Sequence, residues 1–447
     1  MASKSDLLDA QGFSRRRLLT AFVSGAPGGR ELEPAKPLRG VVAGISLSIV
    51  VLLIGLFISL MQKGLPSDWG NGKLIIDQST GSRYVTVDDE LWPILNIASA
   101  RLLLEPDASA KPIVVSGGLL TGIPVRDTIG IPGAPDTIPA PGKLVNTGWT
   151  ACVANETGQI DTRILSQPIA SQTALDEATV VTFEDRIWVI SGGLRMEVPA
   201  SSADAILRDV GLGSAPQHVV TTNWLNLFEE GDALAPLTVG GAGEKLADSE
   251  LRVGDVIFTT TTDASVRYLV LRDGSLAELS PLAFALYQHG SSYSAERTFE
   301  VDGPAIASMP NTSTPVTSAD WPRATFTMMP AQEAPCALTT DNDGTAQSVL
   351  ASVADTDELA PQTIVEPSMG ALVNVAGFGQ DEGAVTLLID STATSYAIPG
   401  ADESILAKLG YSSSDAGTAL APWLQLFNGG PDLTQAAAGA RSDGSTK

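Results

Sequence analysis

The chain has 447 residues, of which 27 are lysine or arginine and 51 are aspartate or glutamate, so its formal net charge is −24. Its 43 glycines and 28 prolines, together with only 5% aromatic residues, predict many short strands separated by turns, with some helix. This composition favours an α+β fold over a helical bundle. The presence of only two histidines also argues against a zinc cluster.

A basic head, residues 1–39, opens the chain. Residues 5–22 predict an amphipathic helix, because their leucines and phenylalanines cluster loosely on one side, where arginines interrupt them. The apolar side has two open interpretations, a docking surface for a cytosolic partner or a helix lying on the inner leaflet with its arginines at anionic headgroups. Residues 25–37, rich in glycine and proline, are predicted to end the helix and form a linker.

Residues 40–61, GVVAGISLSIVVLLIGLFISLM, contain no charged side chain. At about 1.5 Å of rise per residue they form a helix of about 33 Å, which spans a hydrocarbon core of about 30 Å. We predict an uncleaved transmembrane helix. A buried core helix would carry polar periodicity. A cleaved signal peptide would start nearer the N-terminus, whereas 39 residues precede this run and residues 59–63 are a poor cleavage context.

Charge predicts the orientation of this helix. The head has seven basic and four acidic residues, whereas Lys63 and Lys73 are the basic residues that follow the helix most closely. The positive-inside rule therefore keeps the head in the cytoplasm and exports the body. The body carries 20 basic and 47 acidic residues, a net charge of −27, which argues against nucleic acid or an anionic lipid surface as its partner.

The first structure predicted in the body is a hairpin. Residues 73–77 and 83–88 are strand candidates, and the polar segment between them is typical of a turn. Residues 94–104, ILNIASARLLL, have helical spacing. A connection rich in proline and glycine follows over residues 112–141 and leads to Trp149 and Cys152.

The body contains two internal repeats. The sequence RYVTV at residues 83–87 returns 184 residues later as RYLVL at 267–271, and Cys152 and Cys336 are also 184 residues apart. In a second pair, PASSADAIL at 199–207 and WLNLFEEG at 224–231 match PGADESIL at 399–406 and WLQLFNGG at 423–430, with an offset of 199 or 200. The units alternate, so we predict two pseudo-symmetric halves that each contribute two small α/β modules.

If a two-fold axis relates the halves, equivalent residues near it meet, and Cys152 and Cys336 are candidates to join the halves. Two buried free thiols are the alternative. The predicted organisation is a cytosolic helix and linker (1–39), the transmembrane helix (40–61), module 1 (62–110), the first half of a central part (111–165), module 2 (166–240), module 3 (241–300), the second half of the central part (301–360), module 4 (361–433) and a disordered tail (434–447).

The repeated aromatic residues have two interpretations. Trp224 and Phe228, and equally Trp423 and Phe427, could stack on a ligand, but repetition favours a small core filled twice. No constellation supports catalysis. His218 and His289 have no partner at a spacing known for a triad or a metal site, and the sequence lacks the phosphate-binding pattern Gly-x-x-x-x-Gly-Lys-[Ser/Thr]. Residues 341–345, DNDGT, begin like a calcium loop without its bidentate glutamate, and a turn is favoured.

Taken in order, these features resemble the EccB family, the membrane-anchored component of actinobacterial type VII (ESX) secretion machines. The resemblance spans essentially the whole chain. It rests on the head pattern QGFSRRRL at 11–18, the single anchor, GSRYVTVDDELWPILNIASARLLL at 81–104, IPGAP at 131–135, WTAC at 149–152, Cys336, and LGY at 409–411 followed by Trp423.

The resemblance implies a cytosolic helix, one transmembrane helix and an elongated periplasmic domain of four repeat modules around a central part, with a disulfide between Cys152 and Cys336. It also implies assembly with EccC (an FtsK-like ATPase), the channel protein EccD, EccE and a mycosin protease, and self-association of the exported domain. Helical-hairpin proteins of the WXG100 type would be secreted. The predicted cytosolic docking residues of the head are Phe13, Arg15, Arg16, Arg17, Leu18 and Phe22.

The leading functional hypothesis is therefore a structural membrane subunit that acts as a scaffold and needs no cofactor. Two alternatives remain open. Some family members are labelled ATPases, although this sequence offers no phosphate loop to support that activity. The repeat surfaces could alternatively bind the cell wall.

Overall fold

The computed structural model describes residues 4–24, 37–61, 64–247, 249–259, 266–312, 316–342, 344–380 and 385–442. The chain divides into two compact units, Met1–Pro66 and Ser67–Lys447.

The helices are α1 (Lys4–Ser24), α2 (Pro37–Met61), α3 (Ile97–Leu103), α4 (Pro106–Ala110), α5 (Ala203–Asp209), α6 (Thr222–Leu225), α7 (Pro281–Gln288), α8 (Gly303–Ala307), α9 (Glu403–Leu409), α10 (Ala421–Leu424) and α11 (Gln435–Ala438). The first strands are β1 (Leu74–Asp77), β2 (Arg83–Val87), β3 (Glu90–Pro93), β4 (Ile113–Val115), β5 (Thr150–Val153), β6 (Ile160–Ile164), β7 (Ser171–Gln172), β8 (Glu177–Phe183), β9 (Arg186–Ser191), β10 (Leu194–Val198), β11 (Gln217–Val219) and β12 (Glu229–Glu230). The remaining strands are β13 (Val256–Phe258), β14 (Arg267–Val270), β15 (Leu276–Leu279), β16 (Thr298–Glu300), β17 (Thr327–Met328), β18 (Ala334–Asn342), β19 (Thr345–Val353), β20 (Gln362–Val365), β21 (Ala371–Ala376), β22 (Thr386–Ile389), β23 (Thr394–Ile398), β24 (Gly417–Leu420) and β25 (Asn428–Gly429).

The described part of the first unit holds two helices. Helix α1 extends the predicted helix by one residue at its start and two at its end. Helix α2 contains the apolar run, and within the described residues it is the helix long and apolar enough to cross a membrane, over Gly40–Phe57. Most of the predicted linker, residues 25–36, lies outside the described residues.

The second unit is built from four modules of one design. In each, three antiparallel strands are followed by a helix, and a further strand then returns parallel to the first strand of the module. Module 1 has strands β1–β4 and module 3 has β13–β16, with the strand orders β3-β2-β1-β4 and β15-β14-β13-β16. Modules 2 and 4 start at β8 and β21. Each adds a short helix and a last parallel strand, β12 or β25, at the opposite edge of its sheet.

The repeated pentapeptides occupy equivalent places in modules 1 and 3. In the predicted hairpin, Leu74 faces Val85, and in module 3 Val256 faces Leu269. All four side chains are buried, since they lie on the strand face that the helix of the module covers. The segment could be recognised from the sequence because β-branched and aromatic residues, which favour strands, recur in RYVTV at 83–87 and RYLVL at 267–271.

The modules pack crosswise between the halves. The core of module 1 is continuous with that of module 4, where Ala98 and Leu102 of α3 pack with Leu406 and Leu409 of α9. Likewise α5 of module 2 packs on α7 of module 3, through residues such as Ile206 and Leu286. Each pair thus contains one module from each half, as a pseudo-two-fold exchange of the halves requires.

A central sheet joins the halves, with the strand order β20-β6-β5-β18-β19-β7 in the described residues. Strands β5 and β6 come from the first half and β18 and β19 from the second. They meet in the antiparallel pair β5–β18. The fold is therefore α+β, with an N-terminal apolar helix and a sheet-rich second unit.

Three predicted boundaries need correction. Strand β4 lies in the range assigned to the central part, but it pairs with β1 of module 1. Strand β17, assigned to the second half of the central part, pairs with β8 of module 2. Strand β20, assigned to module 4, pairs with β6 of the central sheet. In each case the chain leaves one sheet and returns to another, which a division into consecutive ranges does not capture.

The predicted disordered tail is also wrong over its first part. Residues 435–438 form helix α11, Ala438 is fully buried among side chains of modules 1 and 4, and Arg441 forms a bridge with Ile129. Thr434 caps this helix by accepting a hydrogen bond from the amide of Ala437 at 3.1 Å. Residues 443–447 lie outside the described residues.

Candidate functional site at the junction of the two halves

Cys152 and Cys336 form a disulfide at the junction of the halves. Cys152 of β5 and Cys336 of β18 are directly opposite each other in the antiparallel pair, with Ala151 facing Ala337 on one side. If each residue of one half is replaced by its equivalent 184 positions away in the other half, the same antiparallel register results. The local pseudo-two-fold axis therefore passes between the two cysteines, which explains why they carry equivalent sequence positions.

The disulfide is enclosed by apolar side chains. Both cysteines have an exposed fraction of 0%, and they pack in a cluster with Leu338, Val349 and Ala351 from the hairpin of the second half. A reductant in solution has no direct access to either sulfur, so this bridge is a structural bond rather than an exchange site.

The repeated aromatic residues lie in one core on the other face of the central sheet. Trp224, Phe228 and Trp423 are fully buried and Phe427 nearly so, together with Trp149. Trp149 contacts Trp423 and Phe427 edge-to-face, with ring centroids 6.3 and 5.6 Å apart. All these rings lack the exposed face that ligand stacking needs.

The indole N–H groups differ between the repeats. Trp224 Nε1 donates to the carbonyl of Ala151 at 2.9 Å, whereas Trp423 Nε1 donates to the hydroxyl of Ser348 at 3.3 Å. Both acceptors belong to the central sheet, so each tryptophan fixes a module to the junction. The short helix α10 begins directly after β24, and two residues separate α6 from the end of β11.

A buried ion pair also lies at the junction, and the sequence reasoning missed it. Asp161 of β6 is fully buried and pairs with Arg163 at 2.8 Å. Asp161 also accepts a hydrogen bond from the amide of Ala360 at 2.9 Å, and Arg163 donates to the carbonyl of Glu358 at 2.7 Å. The pair therefore holds the segment that enters β20 against the first half. Its i, i+2 spacing on a strand carries no distinctive sequence signal.

The histidines are far from a catalytic arrangement. Burial lowers the pKa of His218 on β11, and within the described residues its Nε2 has no hydrogen-bond partner. His289 follows α7, and its Nε2 lies 2.8 Å from Oδ2 of Asp209 at the end of α5, so it links modules 3 and 2. Across the described part of the chain, no group of three or more His, Cys, Asp or Glu residues is placed to hold a metal ion.

The lysines near glycine-rich segments have acidic neighbours or lie on the surface. Lys73 pairs with Asp68 at 2.8 Å and Lys245 with Glu250 at 3.0 Å, whereas Lys143 is exposed in a short turn. The calcium-like segment is the tip of the β18–β19 hairpin, where Asp341 accepts a hydrogen bond from the amide of Gly344 at 2.9 Å. Gly344 has a φ of +88°, which is typical of a turn.

The predicted docking residues lie on α1 and are exposed in their unit. The exposed fractions are 55% for Phe13, 68% for Leu18 and 90% for Phe22, and Arg15, Arg16 and Arg17 are also exposed. At about 100° per residue, Leu18 and Phe22 share a face that Phe13 does not. The apolar residues of α1 therefore occupy two faces rather than one.

The model of a family described as "Type VII secretion system ESX-1, transport TM domain B", EccB, matches residues 2–447. The chain belongs to the EccB family. The resemblance drawn from the sequence is thus confirmed.

Curated relatives agree with this assignment. The chain is 27% identical over 445 residues to the "ESX-3 secretion system ATPase EccB3" of Mycolicibacterium smegmatis, covering 89% of this chain and 82% of the relative. It is 28% identical over 305 residues to the "ESX-5 secretion system ATPase EccB5" of Mycobacterium marinum, covering 63% of this chain and 58% of that relative.

Solved structures share the fold. A chain of an intact ESX-5 inner membrane complex superposes with a TM-score of 0.68 at 21% identity, covering 100% of this chain and 97% of that one. A chain of the EccB3 dimer from the ESX-3 core complex gives 0.68 at 23% identity, covering 82% of this chain and 100% of that one. The arrangement of modules around a central sheet is therefore the fold of the EccB family.

Proposed function

We propose that this EccB-family chain is a structural, membrane-anchored subunit of a type VII secretion complex. The observation that carries the proposal is the match of the family model to residues 2–447. Helix α2 anchors the protein, the basic head lies in the cytoplasm, and the second unit forms part of the extracytoplasmic assembly. The protein acts as a scaffold, so no side chain undergoes covalent chemistry.

Two further observations support this proposal, one on the membrane orientation and one on the assembly. The charge difference between the basic head and the acidic body favours a cytoplasmic N-terminus. The solved neighbours of the same fold come from an ESX-5 inner membrane complex, from a periplasmic assembly of that complex, and from an EccB3 dimer of an ESX-3 core complex. By analogy, the second unit self-associates, and the partners of this chain are an EccC-type ATPase, EccD, EccE and a mycosin protease.

Affinity purification tests the proposal. The full-length protein is purified through a C-terminal tag from its own membrane in mild detergent, and the co-purifying proteins are identified by mass spectrometry. We expect an FtsK-like ATPase, a polytopic membrane protein and a mycosin. The control is a tagged protein in which residues 4–61 are fused to an unrelated exported domain, which distinguishes recruitment by the head from recruitment by the body.

Recovery of the protein alone would contradict the scaffold. If the full-length protein then co-sedimented with purified cell wall, the wall-binding alternative would replace it. Topology is checked separately, since a cytoplasmic head is protected from protease added outside intact spheroplasts, whereas the body is digested.

Nucleotide hydrolysis is the second candidate, because relatives of this chain are named ATPases. The residues nearest to a phosphate-binding pattern are Lys73 and Lys245, and both are paired with carboxylates. ATP hydrolysis that scales with the concentration of purified full-length protein and disappears in Lys73→Ala or Lys245→Ala would support this activity. Equal rates in the variants and the wild type would assign the hydrolysis to a contaminant.

A further inference from the structure

Helix α1 has a wide apolar face with a basic residue at its centre. Around the helix axis, at about 100° per residue, five large apolar side chains lie within about 80° of Arg15. Their exposed fractions range from 59% to 90%, and they are Leu7, Leu8, Leu18, Leu19 and Phe22. We call this surface the Arg15 face. Phe13 lies about 160° from Arg15 and belongs to the other apolar face of the helix.

No carboxylate of α1 lies beside Arg15. The side chains that neighbour a helical residue are those three and four positions away, and around Arg15 these are Gln11, Gly12, Leu18 and Leu19. The acidic residues of α1, Asp6 and Asp9, lie about 180° and about 120° from Arg15. The guanidinium is therefore surrounded by leucines and one amide, with no acidic neighbour on its own helix.

A lipid surface does not suit this face. A helix that lies on the inner leaflet turns the centre of its apolar face toward the acyl chains. Arg15 would then be the most deeply placed side chain of α1, where a charged guanidinium is costly. Arg16, about 100° away, lies at the edge of the face and reaches the headgroups without this cost. The central position of Arg15 therefore favours a protein partner over a lipid.

A groove of another protein suits the face better. The spacing i, i+3, i+4, i+7 of a helix that docks into an apolar groove is that of Arg15, Leu18, Leu19 and Phe22. The planar guanidinium of arginine binds a carboxylate through two parallel hydrogen bonds. Leucines on either side exclude water from such a pair, which strengthens its electrostatic attraction.

We propose that the Arg15 face docks into an apolar groove of another cytosolic protein, and that a carboxylate in this groove pairs with Arg15. The proposal rests on the cytoplasmic position of the head proposed above. It specifies which face of α1 docks there and which charge the partner carries. Because Phe13 lies on the other face, this contact is separate from any contact that Phe13 makes.

Photo-crosslinking of the full-length protein in its own membrane tests the proposal. The photoreactive amino acid p-benzoylphenylalanine replaces Leu19, and the crosslinked product is isolated through a C-terminal tag and identified by mass spectrometry. In this background we expect Arg15→Gln to lower the yield of the crosslinked protein about tenfold or more, because a desolvated ion pair is lost. The matched control is Arg16→Gln, which removes the same charge at the edge of the face and changes the yield less than about twofold.

Charge reversal then identifies the carboxylate of the partner. Mass spectrometry of the digested product locates the crosslinked segment of the partner, and each Asp and Glu in and around that segment is changed to Arg. We expect Arg15→Glu to abolish the product and one of these partner variants to restore it. Restoration demonstrates a direct pair, because a change in the partner does not repair a helix that Arg15→Glu has unfolded.

The proposal is wrong if the yield does not depend on Arg15, if no charge reversal restores it, or if phospholipid takes the place of protein in the product. The absence of a product from a head that intact spheroplasts protect also contradicts it. A head that is digested outside intact spheroplasts would instead contradict the proposed function, so the two failures are distinguishable.

Discussion

Lys408 of α9 donates a hydrogen bond from Nζ to the carbonyl of Leu104 at 3.0 Å. This bond joins modules 4 and 1 through two residues that are 304 positions apart in the chain. In return, Arg101 of α3 donates to the carbonyl of Leu409. Each basic side chain thus satisfies a carbonyl at the C-terminal end of the other module's helix, where a cation is favoured. The contact between modules 1 and 4 is therefore polar at its rim as well as apolar at its centre.

We predict that Lys408→Met lowers the free energy of unfolding by about 1–2 kcal/mol, because the hydrogen bond to Leu104 is lost from a site where the lysine is only 12% exposed. Urea unfolding of the full-length protein in detergent, followed by tryptophan fluorescence, measures the change. The matched control is Lys245→Met, since Lys245 is 53% exposed in a surface pair. Equal effects of the two substitutions would contradict a role for Lys408 in joining the modules.

The disulfide gives the second prediction. Replacing both Cys152 and Cys336 by alanine removes a bridge that closes a segment of 184 residues, which in the chain-entropy model costs about 5 kcal/mol. Urea unfolding of the variant and of the oxidised wild type checks the value. Because both sulfurs are buried, dithiothreitol should reduce the native protein only when denaturant is added, as thiol titration would report. Rapid reduction without denaturant would contradict the enclosed site.

The third prediction separates the two repeated tryptophans. Trp224→Phe and Trp423→Phe remove the same side-chain atoms, but only the first loses the 2.9 Å bond to a main-chain carbonyl, that of Ala151. The 3.3 Å bond of Trp423 is to a hydroxyl, and Ser348 can rotate towards another partner. We expect Trp224→Phe to be the more destabilising by about 1 kcal/mol in urea unfolding. The reverse order would show that packing, not hydrogen bonding, distinguishes the repeats.

The fourth prediction concerns pH. Burial lowers the pKa of His218 below the ordinary value of 6.5, so the folded protein binds fewer protons at this site than the unfolded chain. Stability should therefore fall as the pH drops below about 6.5, and level off once the folded pKa is passed. Thermal unfolding of the full-length protein from about pH 7 to about pH 5 measures this decline, because histidine changes its charge in this range. His218→Asn should flatten the curve, whereas a decline that persists unchanged would exclude His218 as its cause.

The repeats and the first hairpin could be predicted because their signal is local. The pentapeptide RYVTV at residues 83–87 consists largely of β-branched and aromatic residues, and it returns as RYLVL at 267–271, so strands β2 and β14 carry their signal in the sequence itself. The crosswise packing could not be predicted. Which module covers which depends on the side chains that meet across the cores, and a repeat pattern is equally compatible with packing between neighbouring modules.

The C-terminal helix shows why composition misled the prediction there. Residues 434–440 are rich in alanine and lack a large apolar side chain, so they resemble a disordered segment. Alanine, however, has the highest helix propensity, and its small side chain allows α11 to approach α3 closely. Ala438 is fully buried as a result. The polar contacts of Arg195 could likewise not be predicted, because this side chain meets Leu225 and Glu230 only when β10, α6 and β12 come together.

The last prediction tests the docking role proposed for the N-terminal head. Phe13 and Leu18 are five residues apart on α1 and lie about 140° apart around its axis, so a partner that grips one face contacts only one of them. We predict that Phe13→Asp reduces co-purification of the FtsK-like ATPase at least several-fold, and that Arg15, Arg16 and Arg17 replaced together by glutamine act in the same direction. Leu18→Asp is the matched control for the second face. Membrane insertion and the stability of the second unit should be unchanged, as carbonate extraction and urea unfolding would report. If all variants assemble like the wild type but lose binding to vesicles containing anionic lipid, α1 lies on the inner leaflet, and the docking role of Phe13 is wrong.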